Sequence, residues 1–433
     1  MIRILKGNLV HTPHMDGFSI HPNSYLVIRD GLVENIYTVL PDQYKDTAVE
    51  DYEENLIFPG FCDLHAHAPQ YINIGIGYDE ELLPWLMKYT FPLESRYSDL
   101  PFAMECYKRF INSLWRKGTT RVSVFATIHL PATRLLFDLF KKSGLGAYIG
   151  KVNMDRNSIP ALLETTRSSL ADTLAFVESC TDEKGLVRPI LTPRFVPSTT
   201  PELMRGLGDL AEKYDLPIQS HVSENRSEIK FVKELHPDIA SFTEVYETFG
   251  LLRPDRTIMA HAVHLSAKEA QIMRDRRIRI AHCPQSNFNM SSGIMPLRKY
   301  LDMGIAVGLA SDVAGGHLLG MPQNMVSACM ASNQHWFDHP EDKQVCLSEA
   351  FYLATKGSGS FFGKVGSFEP GYEADVIVAD GGLEDRLLER TIEERVQQFI
   401  YEGDDRNILR RFVRGEEIPC PFPECPSGAS RQG

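Results

Sequence analysis

Short apolar runs alternate with amphipathic segments along most of the chain. Each run has the length of a β-strand, ends at a turn, and is followed by a segment whose apolar residues recur with helical spacing. The apolar runs lie near residues 56–65, 120–127, 148–153, 189–195, 217–221, 257–261, 278–282 and 305–311. Strands that alternate with helices form parallel sheets, and eight such units are typical of a (β/α)8 barrel. The pattern therefore predicts an α/β fold with a TIM-like barrel.

The two ends of the chain follow a different pattern. Short strands with alternating polar and apolar residues precede and follow the barrel segment, and one of them leads to a turn at Asp30-Gly31. We expect these flanks to form a small β-sandwich domain. The predicted domain boundaries are 1–56 and 365–433 for the two parts of the sandwich and 57–364 for the barrel. The tail beyond Glu417, which contains Pro, Gly and Ser, is expected to fray.

Polar side chains follow the predicted strands at the ends where parallel strands meet. In strand order, these residues are His65 and His67, then Arg194, His221, His261, His282 and Asp312. The carboxyl ends of all strands in such a barrel lie on one face, and barrel enzymes carry their active sites there. We therefore expect side chains that are far apart in the sequence to converge at one site.

His65 and His67 form the most informative single motif. Side chains two residues apart in a strand lie on the same side, so both imidazoles can bind one metal ion. Three imidazoles and a carboxylate are donors that zinc accepts. Each residue taken alone has another explanation, since His65, His67 and His282 can be ordinary surface or core histidines and Asp312 can be a helix N-cap. Their common position at strand ends favours a metal site.

Composition narrows the class of protein. The chain has 433 residues, of which 43% are hydrophobic and 24% are charged, so it can bury a large core. A net charge of -12 argues against a nucleic-acid surface, which needs basic residues to replace counterions. The apolar runs are too short to span a membrane, and the N-terminus lacks the apolar core of a signal peptide. We expect a cytoplasmic protein with a small-molecule partner.

The eight cysteines are scattered along the chain. Their low density does not fit a disulfide scaffold, so reduced thiols are expected. Cys420 and Cys425 superficially resemble half of the zinc site of cytidine-type deaminases. That site, however, requires Cys-x-x-Cys after a His-x-Glu motif. The spacing here is different and the partner motif is missing.

The motifs resemble those of the amidohydrolase superfamily, whose members carry His-x-His on the first barrel strand, histidines on strands five and six, and Asp on strand eight. The resemblance covers nearly the whole chain and is strongest to the branch that deaminates guanine. The similar segments are residues 65–71, 85–92, 150–155, 192–195, 220–225, 259–261, 281–284 and 311–316. The chain differs from the family's motifs at Gln285 and Ser311, but these differences leave every metal ligand that the resemblance implies in place. The resemblance implies hydrolytic deamination of guanine to xanthine and ammonia.

The resemblance also implies one zinc ion in each subunit. The implied ligands are His65, His67, His221 and Asp312, with His261 and His282 near the water or the substrate. Members with two metal ions usually bridge them with a lysine on strand four, and residues 189–194 contain none. Lys151 on strand three is instead expected to pack or to form a structural ion pair.

Three residues are expected to take part in the chemistry, namely Glu224, Asp312 and His261. Glu224 follows His221 by three residues, on the turn from strand to helix, and can carry protons between the attacking water and the ring. Its alternative role is that of an acidic residue stabilising a helix N-terminus. Asp312 can take a proton from the water while it remains a ligand.

The expected substrate contacts are Gln70, Arg194, Phe195, His221 and His282. The guanidinium of Arg194 has only donors, whereas Gln70 offers a donor and an acceptor. Guanine fits this pair, because its O6 and ring nitrogens can accept from Arg194, while adenine would present an amino group to the guanidinium. Phe195 can stack on a flat base, although an aromatic residue at a strand end is commonly part of the core.

The aromatic-rich segment from Gly75 to Tyr97, inserted after the first strand, has two possible roles. It can cover the pocket and exclude water, or it can form an apolar surface between subunits. Members of the superfamily are commonly homodimers, so both roles are compatible.

Two other functions stay open. One is a related hydrolase with the same metal ligands that acts on another aminated ring or a cyclic amide. The other is a non-catalytic scaffold on the same fold, which the presence of the ligands, Glu224 and the substrate residues disfavours.

Overall fold

The computed structural model describes residues 1–381 and 388–423. In chain order, the strands are β1 (Ile2–His11), β2 (Ser19–Arg29), β3 (Leu32–Tyr37), β4 (Val49–Pro59), β5 (Phe61–His67), β6 (Thr119–Phe125), β7 (Gly146–Gly150), β8 (Val152–Asn153), β9 (Val187–Pro189), β10 (Thr192–Pro193), β11 (Ile218–Val222), β12 (Thr257–His261), β13 (Arg279–His282), β14 (Val307–Leu309), β15 (Val376–Ala379), β16 (Ile408–Val413) and β17 (Glu416–Glu417). The α-helices are α1 (Leu82–Trp85), α2 (Phe91–Ser95), α3 (Leu100–Arg116), α4 (Leu130–Ser143), α5 (Thr166–Ser179), α6 (Pro201–Tyr214), α7 (Arg226–Leu235), α8 (Phe242–Thr248), α9 (Ala267–Asp275), α10 (Pro284–Asn289), α11 (Leu297–Asp302), α12 (Met321–Asp338), α13 (Leu347–Tyr352) and α14 (Ile392–Glu402). Cys425 and the far end of the predicted tail lie outside the described residues.

Parallel strands alternate with helices through the middle of the chain. One four-stranded sheet has the order β5-β6-β7-β9, a second has the order β11-β12-β13-β14, and β8 pairs with β10. A bridge between Leu191 and Ile218 links the segment next to β10 with β11. The backbone N–H of Asp312 donates to the oxygen of His65 at 2.8 Å, which joins the segment after β14 to β5. This arrangement is that of a TIM-barrel-type α/β fold.

The two ends of the chain form one mixed sheet. Its seven strands have the order β17-β16-β15-β4-β1-β2-β3. The N-terminal and C-terminal parts meet where β4 and β15 pair antiparallel. Apolar side chains from both parts share a cluster that includes Leu5, Leu26, Ile57, Val376 and Phe412. The two flanks therefore stabilise each other. Whether they form a β-sandwich stays a prediction.

The first predicted strand, residues 56–65, is wrong as a single element. Residues up to Pro59 belong to β4 and pair with β15, and β5 begins only at Phe61. A Cβ on Gly60 would lie 2.3 Å from Oγ1 of Thr120, so the close approach of the two chains requires a glycine at the break. An unbroken apolar run does not reveal such a change of sheet, because both strands are buried.

Three other predicted strands are shorter or divided. The predicted strand at residues 148–153 is divided between the end of β7 and β8, and the predicted strand at residues 189–195 overlaps only the last residue of β9 and all of β10. Proline at positions 189 and 193 lacks the N–H that a continuous strand would use. The last strand ends at Leu309, and two residues farther on the backbone N–H of Ser311 donates to the side chain of Asp63 at 3.0 Å.

A buried ion pair ties the flanking sheet to the barrel strands. Nε of Arg121 in β6 donates to Oδ2 of Asp375 at 2.6 Å, and its Nη2 donates to Oε2 of Glu373 at 2.5 Å. The backbone N–H of Gly60 donates to the oxygen of Asp375 at 2.9 Å. These contacts fix the start of β5, the strand that carries the paired histidines.

The beginning of the predicted tail is held against α3. Nε1 of Trp115 donates to the backbone oxygen of Ile418 at 2.7 Å, and Nδ2 of Asn112 donates to that of Phe422 at 2.6 Å. The expectation that the chain frays directly after Glu417 is therefore wrong for these residues.

The cysteines of the described ranges are free thiols, as the sequence predicts. In the same ranges, no helix combines the length and the apolar character that crossing a membrane requires.

Candidate active site

Histidine nitrogens and a carboxylate oxygen converge at the ends of the parallel strands. Nε2 of His67 lies 3.1 Å from Nε2 of His65 and 3.2 Å from Nε2 of His221. Oδ1 of Asp312 lies 3.1 Å from Nε2 of His65 and 3.4 Å from Nε2 of His67. Atoms bound tetrahedrally to one zinc ion at about 2.0–2.2 Å are separated by about 3.3–3.6 Å. The spacing of these donor atoms fits a shared metal ion.

His261 belongs to the same group. Its Nε2 lies 3.6 Å from Oδ2 of Asp312. The ligand atoms of His65, His221, His261 and Asp312 lie within 4.8 Å of one another. Geometry alone thus includes His261 among the residues that can hold a metal, in addition to the four ligands that the resemblance implies.

Hydrogen bonds on the outer side orient two of the imidazoles. Nδ1 of His221 lies 2.6 Å from the backbone oxygen of Arg194, and Nδ1 of His261 lies 3.0 Å from Oδ1 of Asn287. An Nδ1–H that donates to an oxygen leaves the lone pair on Nε2. Both rings therefore present an acceptor nitrogen to the centre of the site.

Asp63, which the sequence interpretation missed, holds the ends of the first and last strands together. Its Oδ1 accepts from the backbone N–H groups of His65 at 3.1 Å and Ser311 at 3.0 Å. Its Oδ2 accepts from the hydroxyl of Ser311 at 2.5 Å. Burial raises the pKa of Asp63 to about 6. A carboxylate inside an apolar strand has no spacing that distinguishes it, but its burial beside a His-x-His motif is a signal that could have identified it.

Two residues of the site have left-handed backbones. The φ angle is 73° at His261 and 44° at Asp312. Non-glycine residues adopt this region rarely and at an energetic cost, and such residues are enriched at functional sites. At Asp312, the hydrogen bond from its N–H to the oxygen of His65 stabilises this conformation.

Burial favours the neutral form of the His67 and His221 imidazoles. It lowers the pKa of His67 to about 4 and that of His221 well below the usual range. For Asp312, burial alone would raise the pKa, but His65 and His67 hold it well below its ordinary value. Neutral imidazoles and an ionised carboxylate are the protonation states that bind metal ions.

Glu224 lies next to this group and is 2% exposed. Its Oε2 is 3.4 Å from Nε2 of His261, and its Oε1 is 3.5 Å from the hydroxyl of Ser292. Burial, and to a smaller extent the charge of Asp312, raises the pKa of Glu224 well above the ordinary value. A carboxyl group with a raised pKa can carry a proton at neutral pH.

A pocket opens beside the convergent donors. Its lining residues are His67, Gln70, Leu82, Trp85, Leu86, Arg194, Phe195, His221, Glu224, His261, Ser286, Met290, Asp312 and Gly315. Leu82, Trp85 and Leu86 belong to the segment from Gly75 to Tyr97, for which covering the pocket is one of the two expected roles. The alternative role of that segment as a dimer surface stays a prediction.

Arg194 and Gln70 meet at a carboxylate that sequence analysis did not single out. Nη1 of Arg194 donates to Oε2 of Glu94 at 2.5 Å, and Nη2 donates to Oε1 at 3.0 Å. Nε2 of Gln70 donates to Oε1 of Glu94 at 2.8 Å. Glu94 is a single acidic residue without a neighbouring motif, so the sequence offered no signal for it.

The remaining predicted residues occupy different positions. Phe195 lines the pocket, and the centre of its ring is 6.5 Å from that of His221. His282 is buried outside the lining of this pocket, and burial lowers its pKa to about 3. Lys151 forms the expected structural pair, with Nζ 2.5 Å from Oε1 of Glu164.

The chain is similar to known proteins along nearly its whole length. The sequence profile of the amidohydrolase family matches residues 56–418. A guanine deaminase from Dictyostelium discoideum is 40% identical over 96% of this chain and 98% of its own length. The guanine deaminase of Homo sapiens is 39% identical over 88% of this chain and 86% of its own length.

A solved structure is also similar. It is a guanine deaminase from C. acetobutylicum with guanine bound in its active site. It is 47% identical to this chain, with a TM-score of 0.94, over 96% of this chain and 100% of its own. The chain therefore belongs to the amidohydrolase family, in the group formed by these guanine deaminases.

Proposed function

We propose that this protein hydrolyses guanine to xanthine and ammonia and that it uses one zinc ion in each subunit. The observation that carries the proposal is the pocket in which the convergent histidines and Asp312 lie beside Arg194, Gln70 and Glu224. The similarity to guanine deaminases supports the same substrate.

His65, His67, His221 and Asp312 would hold the metal. Their donor atoms have the required spacing, and burial favours neutral imidazoles. Nitrogen and oxygen donors of this kind are typical of catalytic zinc sites. A bound zinc ion would supply water activated for attack at neutral pH. His261 is assigned to the water and the substrate, because its Nε2 also faces Glu224 at 3.4 Å.

Glu224 is the proposed proton carrier. In the overall reaction, water adds at the ring carbon that bears the amino group, and the C–N bond then breaks. Glu224, whose raised pKa allows it to hold a proton, donates that proton to the ring. Of the two protons of the attacking water, one passes to the amino group, which leaves as ammonia, and the other returns to Glu224. Asp312, which is ionised, is the second acceptor for a proton of that water. These transfers require no residue outside the pocket.

The base is proposed to lie between the donor groups and the apolar wall. Arg194 donates to acceptors of the purine, and Gln70 and His221 lie beside it in the pocket. Phe195 provides an apolar face. The assignment of His282 to the substrate stays a prediction, because its ring lies outside the lining of the pocket.

We also infer the finer architecture. The two four-stranded sheets are proposed to form one closed (β/α)8 barrel, which the hydrogen bond between Asp312 and His65 and the bridge between Leu191 and Ile218 support. The domain boundaries 1–56, 57–364 and 365–433, the folding of the flanks as a β-sandwich, the homodimer and the cytoplasmic location stay predictions.

A panel of bases tests the proposed function. Ammonia release is measured for guanine, adenine, cytosine and their nucleosides with metal-loaded protein. We expect release from guanine alone. Release from another aminated ring, with none from guanine, would identify a related hydrolase instead. A protein that releases no ammonia and purifies without stoichiometric metal would be a scaffold.

A further inference from the structure

Glu94 lies at the centre of the proposed substrate contacts, although it is not part of the predicted site. It belongs to α2, within the segment that covers the pocket, and it is 2% exposed. Its two carboxylate oxygens accept from both Nη atoms of Arg194, and Oε1 also accepts from Gln70. One carboxylate thus joins the two residues that are proposed to recognise the base.

The pair with Glu94 determines which edge of the Arg194 guanidinium stays available. Both Nη atoms face the carboxylate, so the edge that contains Nε is the one left for another acceptor. Among the described residues, Glu94 is the only side chain that accepts from this guanidinium. Arg194 lines the pocket, so a ligand there can supply the other acceptors.

A second contact from the same helix fixes the plane of the guanidinium. The ring of Phe91 lies 4.8 Å from Cζ of Arg194, within the range of a cation–π contact. Phe91 and Glu94 are three residues apart, so their side chains lie on the same side of α2. Helix α2 therefore restrains the orientation of the guanidinium plane of Arg194 and determines which edge of that group stays available.

Glu94 also orients the amide of Gln70. Nε2 of Gln70 donates to Glu94, and Oε1 of Gln70 accepts from the backbone N–H of Ala314 at 3.3 Å. With both ends engaged, the amide has one preferred orientation. Replacement of Glu94 by glutamine would leave one acceptor oxygen instead of two and remove the negative charge, so Arg194 would lose one of its two hydrogen bonds to this side chain and both Arg194 and Gln70 would be held less firmly.

The charge of Glu94 has an energetic role as well. Arg194 is buried beside a site built for a metal cation. A buried charge without a partner is strongly unfavourable, whereas a bidentate carboxylate compensates it.

We propose that Glu94 is a positioning residue for specificity, which holds Arg194 so that its free edge pairs with the O6 side of the purine and holds Gln70 beside it. This inference rests on the proposed function and deepens it by naming the residue that orients the two groups proposed to recognise the base. An arginine edge with two parallel N–H groups matches the O6 and N7 acceptors of guanine.

The test compares guanine with 2-aminopurine, which carries the same reacting amino group but lacks O6. For Glu94→Gln, we expect kcat/KM for guanine to fall about 10²-fold, mostly through KM, and kcat/KM for 2-aminopurine to fall much less. For each protein, kcat/KM for guanine is divided by kcat/KM for 2-aminopurine. Comparison of this ratio between the variant and the wild-type protein cancels the different intrinsic reactivities of the two substrates. Equal loss for both substrates, or no loss for either, would overturn the inference.

Two further variants complete the design. Glu94→Asp keeps the charge but withdraws the carboxylate, so the selectivity should shift in the same direction by a smaller factor. Glu80→Gln is the matched control on the same segment, because Glu80 pairs only with the exposed Lys88, at 2.7 Å, among the described residues. The control should leave the ratio unchanged.

A binding measurement separates this inference from the proposed function. Xanthine has O6 and N7 but no amino group to lose, so its affinity for the metal-loaded protein can be measured by calorimetry without turnover. Glu94→Gln should weaken xanthine binding at least about tenfold, and Glu80→Gln should not. Absence of ammonia release by the wild-type protein would contradict the proposed function. Unchanged xanthine affinity in Glu94→Gln would contradict the role of Glu94.

Discussion

Nδ1 of His221 lies 2.6 Å from the backbone oxygen of Arg194. A proposed metal ligand and a proposed substrate contact are thus joined by one hydrogen bond. The bond directs Nε2 of His221 to the centre of the site, while the side chain of Arg194 reaches into the pocket. Metal binding and recognition of the base therefore both depend on the position of Arg194, whose backbone orients His221 and whose side chain lines the pocket.

Removal of the His221 imidazole should release the metal. His221→Ala takes away one donor and leaves the other ligand atoms incomplete, so the purified protein should contain much less than one zinc ion per chain. Metal content is measured by elemental analysis after dialysis. His317→Ala is the control, because His317 is exposed. A His221→Ala protein that still binds one zinc ion tightly would contradict the ligand set.

Loss of the Glu224 carboxyl should separate chemistry from metal binding. Glu224→Gln keeps the size of the side chain but cannot carry a proton, so turnover should fall by about 10²-fold or more while the zinc content is unchanged. Steady-state kinetics and elemental analysis of the same preparation measure both properties. Turnover close to that of the wild-type protein would rule out the proton carrier.

Arg194→Lys tests the role of the planar guanidinium group with its several N–H donors. Lysine keeps the positive charge but cannot make the bidentate pair with Glu94 or offer a second edge to the base. We expect kcat/KM for guanine to fall at least about tenfold and the preference for guanine over adenine to decrease. If kcat/KM for guanine and the preference over adenine are both unchanged in Arg194→Lys, recognition of guanine does not depend on the guanidinium.

Glu228 should make stability depend on pH. Its Oε2 accepts from the backbone N–H of Glu224 at 3.0 Å, and burial, followed by the charge of Glu224, raises its pKa from the ordinary value of 4.5 to about 8. The folded state therefore binds more protons than the unfolded state between these values, and this contribution to stability is lost as the pH rises through that window.

Glu228→Gln removes this titration while keeping an acceptor for the N–H groups. The free energy of unfolding of the variant, relative to the wild-type protein, should increase between pH 5 and pH 8. Chemical denaturation of both proteins at the two pH values measures the difference. A difference that does not change with pH would show that Glu228 does not titrate in this way.

The convergence of the site was predictable because strand ends in a parallel barrel share one face. His65, His67, His221 and Asp312 meet as that rule requires. The change of sheet at Gly60 was not predictable, since residues on both sides of it are buried and apolar. It depends on the approach of Thr120, a contact between segments far apart in the sequence.

The carboxylates of the site show a second limit of prediction from the sequence. Glu224 was identified because it follows a histidine ligand on the turn after a strand. Asp63 and Glu94 act through backbone groups and through Arg194, and such partners follow no local spacing. The position of Asp63 beside the His-x-His motif marks it as a candidate, but its partners, and any role for Glu94, follow only from the packed structure, which shows the N–H groups and the buried charge that they compensate.

Incubation of the metal-loaded protein with guanine in water labelled with heavy oxygen tests the central claim most directly. Mass spectrometry of the purine product and an ammonia assay are applied to the same sample. We predict xanthine with one labelled oxygen atom, formed in an equal amount to ammonia. Guanine that stays unchanged, or xanthine without the label, would contradict hydrolytic deamination by this protein.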